Sequence, residues 1–156
     1  RVKPMRLSLL AVGQMRGTAA APLYDDYATR IAKSGRAIGL DGLQLTEIKD
    51  HHDAPAKLHA ALDAHKGFSI FLDEGGAGWT SRQMAENISH WRDTNRGDAL
   101  FVIGPADGFP SDMKARADIT LSLGKMTWPH MLARVMLAEQ LWRAISILTA
   151  HPYHRD

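Results

Sequence analysis

The chain ends in HPYHRD, residues 151–156, which crowds two imidazoles, a phenol, a guanidinium and a carboxylate into six positions. Side chains of these types can move a proton near neutral pH, bind an anion or stack on a planar base. The spacing equally suits a solvated end, because chain termini fray unless something ties them down. Other polar groupings are weaker. His51, His52 and His59 lie close in sequence, but adjacent histidines point apart and no carboxylate cluster at ligand spacing joins them. They read as surface residues rather than a zinc site. His151 and His154 would share a metal only on a helix, which Pro152 opposes. Asp73 and Glu74 read as the opening of a turn rather than as a hydrolytic pair. No metal is expected.

Three glycine-bearing stretches each follow an apolar run: DEGGAGW (73–79), GPADGFP (104–110) and GKMTWPH (124–130). Glycine lets a backbone turn with positive φ or approach a ligand closely. None is a phosphate cradle of known pattern. The chain has no G-x-x-x-x-G-K-[ST] and no G-x-G-x-x-G after its first strand, and GKMT lacks the earlier glycine. Each stretch alone reads as a tight turn; their common place after strands favours one shared pocket.

The elements that must position these residues alternate. RLSLLAV (6–12), LQLTEI (43–48), FSIFL (68–72), ALFVI (99–103) and DITLSL (118–123) read as strands. Helical patterns cover 22–33, 54–65, a stretch from Thr80 to about Asp93 and 129–148, with a short helix before the fifth strand. Thr80 and Gln83 have the spacing of a capping box. Unbroken apolar strands are covered on both faces, and alternation with helices predicts a mostly parallel α/β sheet. In such sheets ligands sit at the carboxyl ends of the strands, where the three loops fall. Leu141, Trp142, Ile145 and Leu148 form an apolar stripe suited to the core or to a subunit interface.

At 156 residues, 45% apolar and 23% charged, the chain reads as one soluble domain over 1–156, with Arg1–Pro4 a short extension ahead of the fold. It has no cysteine, which fits a reducing cytosol. LSLLAV is too short to span a bilayer and lacks a following cleavage site, so neither a membrane nor a secretory route is expected. The formal charge of +2 permits an RNA partner without demanding one.

FVIGPADGF, LSLGKMTWPHMLARVMLAEQLWRA and the terminal HPYHR, with LLAVGQMR and LDEGGAGWTS, closely resemble the ribosomal RNA large subunit methyltransferase H family of the SPOUT superfamily. The resemblance covers essentially the whole chain. It implies a knotted α/β fold with a trefoil knot in the C-terminal part, and a cytoplasmic homodimer. It implies S-adenosyl-L-methionine as methyl donor. The substrate it implies is N3 of a pseudouridine in 23S ribosomal RNA within the assembled ribosome. Carried over by position, Leu72, Gly104, Leu123, Gly124, Lys125, Met126, Thr127 and Trp128 would hold the donor. One departure stands out: the family's usual second glycine is Pro105 here, which lacks an N–H for the donor.

The resemblance also suggests a use for the tail, reaching from one subunit into the other's pocket. His154 would act as base or hydrogen-bond donor, Arg155 would bind phosphate or the imide oxygens, and Tyr153 would stack on a base. His130 and Arg134, at the start of the long helix, would position RNA phosphate. Competing readings are a SPOUT enzyme with another RNA target, an unrelated nucleotide-binding α/β enzyme, and a non-catalytic ribosome-binding factor.

Overall fold

Strands that are apolar on both faces need cover on both faces. In the computed structural model, which describes residues 3–156, they receive it. Strands β1 (Met5–Val12), β2 (Leu40–Ile48), β3 (Gly67–Gly78), β4 (Asp98–Ile103) and β5 (Ile119–Ser122) form one sheet in the order β2-β1-β4-β3-β5. Every pairing is parallel. Helices α1 (Ala20–Gly35), α3 (Ser81–Asp93) and α5 (His130–Leu148) cover one face, where Leu7, Leu9, Ile70 and Phe101 point. Helix α2 (Ala54–Ala64) and the short α4 (Ser111–Lys114) cover the other, over Leu10, Phe71 and Val102. Arg1 and Val2 of the expected extension lie outside the described residues, and Lys3 and Pro4 precede β1 as exposed residues.

Local signals explain the boundaries. Thr80 caps α3: its side chain accepts from the Gln83 N–H at 3.0 Å, and Gln83 Oε1 accepts from the Thr80 N–H at 2.8 Å. Helix α5 is apolar nearly all round because it is enclosed, burying Leu137, Leu141, Trp142 and Ile145 between α1, α3 and the sheet. Pro129 ends the preceding loop and starts it.

The largest departure from the sequence pattern is the end of β3. β3 does not stop at Leu72 but runs to Gly78. Leu72 and Ala77 both lie opposite Leu121, so residues 73–76 bulge out and the strand then resumes beside β5. Gly76 permits this: a Cβ there would stand 2.6 Å from the Thr120 carbonyl carbon. A polar, glycine-rich stretch carries no strand periodicity, so the continuation depends on pairing alone.

Candidate active site

The bulge in β3 and the loops that follow β4 and β5 bring residues of the three glycine-bearing stretches around one cavity of about 690 Å³. Of the eight expected donor contacts, Leu72, Gly104, Leu123, Gly124, Met126, Thr127 and Trp128 line it; Lys125 is in the same loop but not on the wall. The loops hold their shape through short-range bonds. Ser122 Oγ accepts from the Gly124 N–H at 3.0 Å and donates to the Gly124 carbonyl at 2.8 Å. The Trp128 indole donates to the Leu123 carbonyl at 3.3 Å, and the Thr127 hydroxyl donates to Glu74 at 3.0 Å. In the β4 loop the Gly108 N–H donates to the Pro105 carbonyl at 2.9 Å, so Pro105 serves as a turn residue. Phe109 packs on Phe71 with ring centroids 4.7 Å apart.

The walls are apolar, with backbone groups and carboxylates between them. Asp73, Glu74 and Asp107 all line the cavity. Asp73 is tied by Lys114 at 3.5 Å and by the Gly75 N–H at 3.1 Å. His130, expected to meet RNA, also stands on the wall.

Arg134 corrects an expectation. It does not face RNA; it is the bulkiest fully buried side chain, at 0% exposure. Its guanidinium donates to Glu47 at 2.6 Å and to the carbonyls of Val12 at 2.9 Å and Gly13 at 2.8 Å. On an otherwise enclosed helix this position turns inward, and a buried guanidinium needs these partners.

The tail is tied down. Trp142 packs against the rings of His151 and Tyr153 at 5.5 and 5.8 Å. The Tyr153 hydroxyl donates to Glu139 at 3.0 Å and lies 3.4 Å from that of Tyr27 on α1. Arg143, paired with Glu139, stacks over the Tyr153 ring at 4.9 Å and approaches His154 Nδ1 at 3.3 Å. His154 Nε2 meets Asp156 at 2.8 Å, and Asp156 pairs with Arg82 on α3. Arg155 is exposed. Burial first, then the hydrogen bonds to Tyr27 and Glu139, pushes the Tyr153 phenol up, so it stays protonated near neutrality. The hydrogen bond from Arg82, then that of His154, holds the Asp156 carboxyl below the usual range. Among the described residues the tail does not line the cavity of its own chain.

Glu139, Arg143 and Tyr27 were not singled out as site residues in the sequence. The four-residue spacing of Glu139 and Arg143 predicts their own ion pair, but nothing local shows that they receive the tail. Elsewhere His59 lies 3.2 Å from Asp112 and 3.0 Å from Arg116. Among the described residues no three ligand-type side chains converge on a metal position, and no helix is long and apolar enough to cross a membrane.

The class is a methyltransferase one: a family model described as "Predicted SPOUT methyltransferase" matches residues 5–154. A probable methylase family protein from Haemophilus influenzae shares the fold at TM-score 0.50 and 12% identity, over 100% of this chain and 72% of its own. A probable methyltransferase from Bordetella pertussis does so at TM-score 0.50 and 14% identity, over 91% and 95%. Three curated relatives carry the name ribosomal RNA large subunit methyltransferase H. The Roseobacter denitrificans protein is 46% identical over 97% of this chain and 100% of its own. Those of Ruegeria pomeroyi and Allorhizobium ampelinum are 46% and 41% identical, over 97% of this chain and 99% and 100% of theirs. The chain belongs to the ribosomal RNA large subunit methyltransferase H family.

Proposed function

We propose that the chain is a cytoplasmic S-adenosyl-L-methionine-dependent enzyme that methylates N3 of a pseudouridine in 23S ribosomal RNA on the assembled ribosome, as a homodimer. The observation that carries this reading is the cavity assembled from the three loops in a chain matching relatives of that name end to end. Its volume suits a nucleoside-sized ligand. Apolar walls from Leu72, Leu123 and Met126 suit an adenosyl group, and the lining carboxylates Asp73, Glu74 and Asp107 suit a positively charged sulfonium. Bound there, the donor would supply an electrophilic methyl group. The residues present therefore fit it.

The chain's own part is alignment and proton handling. Uracil-type N3 is a weakly acidic imide nitrogen and attacks well only after losing its proton. In this reading His154 takes that proton or donates a hydrogen bond, and Arg155 binds a phosphate or the imide oxygens by charge-assisted bonds. Tyr153, held protonated, stacks or donates. The tail's separation from its own cavity supports a site completed by a second copy. The exposed Met126, Trp128 and Leu132 at the cavity rim and the start of α5 offer apolar surface for that contact. A trefoil knot in the C-terminal third goes with this reading. α4 carries the chain across β3 to the outer edge strand β5, and α5 then returns to pack on α1 and α3.

Transfer of labelled methyl from S-adenosyl-L-methionine to ribosomes tests the proposal. Label should appear in 23S RNA from ribosomes carrying pseudouridine and be absent from ribosomes lacking the pseudouridine-forming activity. Equal labelling of both would overturn the assigned base.

A further inference from the structure

Buried arginine is not explained by stability, since well-packed apolar residues do as well or better in its place. Arg134 is fully buried and spends its guanidinium on three acceptors from two strand ends: Glu47 on β2, Val12 closing β1, and Gly13 just beyond. Glu47 in turn accepts the Met15 N–H at 2.8 Å, which draws the loop after β1 into the same cluster. That loop lies close to the first turn of α5. A Cβ on Gly13 would lie 3.5 Å from Met131 Cε and 3.8 Å from His130 Nε2. His130, Met131 and Ala133 form a wall of the loop-built cavity.

We propose that Arg134 is a positioning residue for methyl-donor binding: its guanidinium fixes the first turn of α5, one wall of the cavity, to the carboxyl ends of β1 and β2. This rests on the cavity being the donor site, as proposed above. Directional bonds to three acceptors set that wall within hydrogen-bonding tolerance, where apolar packing would let the helix slide. A lysine keeps the charge but, as a compact point donor, cannot span the carboxylate and both carbonyls.

The test is calorimetric titration with S-adenosyl-L-methionine, together with steady-state rates on ribosomes, for Arg134→Lys, Glu47→Gln, Leu141→Ala and Trp128→Ala. Leu141→Ala removes buried side-chain volume two turns further along α5 and serves as the control for general loosening. The expected result is about tenfold weaker donor binding in Arg134→Lys, as displaced positioning groups produce, with kcat at saturating donor within about twofold of wild type. Leu141→Ala should lower Tm yet bind donor normally. Wild-type affinity in Arg134→Lys, or equal weakening by Leu141→Ala, overturns the proposal. If Arg134→Lys does not fold, Glu47→Gln is held to the same two outcomes. Normal binding by Trp128→Ala removes the cavity reading and this proposal with it; weak binding there beside normal binding in Arg134→Lys removes this proposal alone.

Discussion

His154 has both ring nitrogens engaged, one by Arg143 and one by Asp156, so its ring is oriented rather than free. To act as base for N3 it must first release Nδ1 from Arg143 or Nε2 from Asp156; in that case His154→Ala should lower kcat about 10²- to 10⁴-fold while donor affinity stays unchanged. Single-turnover methylation beside donor titration checks this, and an unchanged kcat removes the role. Asp156 sets a pH dependence. Its folded pKa is depressed by Arg82 first and His154 second. The attachment therefore contributes above the unfolded carboxylate value of about 4 and is lost as pH falls through the folded value. NMR titration of the Asp156 carboxyl should show a midpoint below that of a free aspartate. A midpoint at or above it would mean the tail is not held by Arg82 in solution.

Among the elements, the bulge in β3 matters most to the cavity. It places Asp73 and Glu74 on the wall and still lets β3 pair with β5, whose end starts the 123–128 loop. Gly76→Ala puts a methyl group against the β5 backbone and must displace it. The expected cost is about 1–3 kcal/mol of stability, as for other overpacked sites, with weakened donor binding. Urea unfolding and calorimetry measure the two, and an unperturbed variant would show that β5 yields freely.

For the whole molecule, the proposed dimer and its shared site can be tested by complementation. Mix a chain lacking residues 153–156 with a chain whose cavity is disabled by Trp128→Ala. If tails act across the dimer, the mixed dimer contains one site with an intact cavity and an intact tail, and activity returns. If tails act within their own chain, no site is whole and the mixture stays inactive. Rates of methyl transfer before and after subunit exchange distinguish these outcomes.

Much of this architecture was legible in the residues. Apolar runs and helical spacings marked the five strands and the four longer helices, because burial imposes its period locally. Thr80 and Gln83 announced the α3 cap, and the glycine-bearing loops after strands announced the cavity. Motif resemblance carried the family. Three things required the folded chain: β3 continuing through Asp73–Gly78, Arg134 turning inward to Glu47, and the tail closing on Glu139, Tyr27 and Arg82. Each joins groups far apart in sequence, up to 126 positions for Tyr27 and Tyr153. Such pairings leave no periodic trace, since proximity across a core is created by packing and not by spacing along the chain.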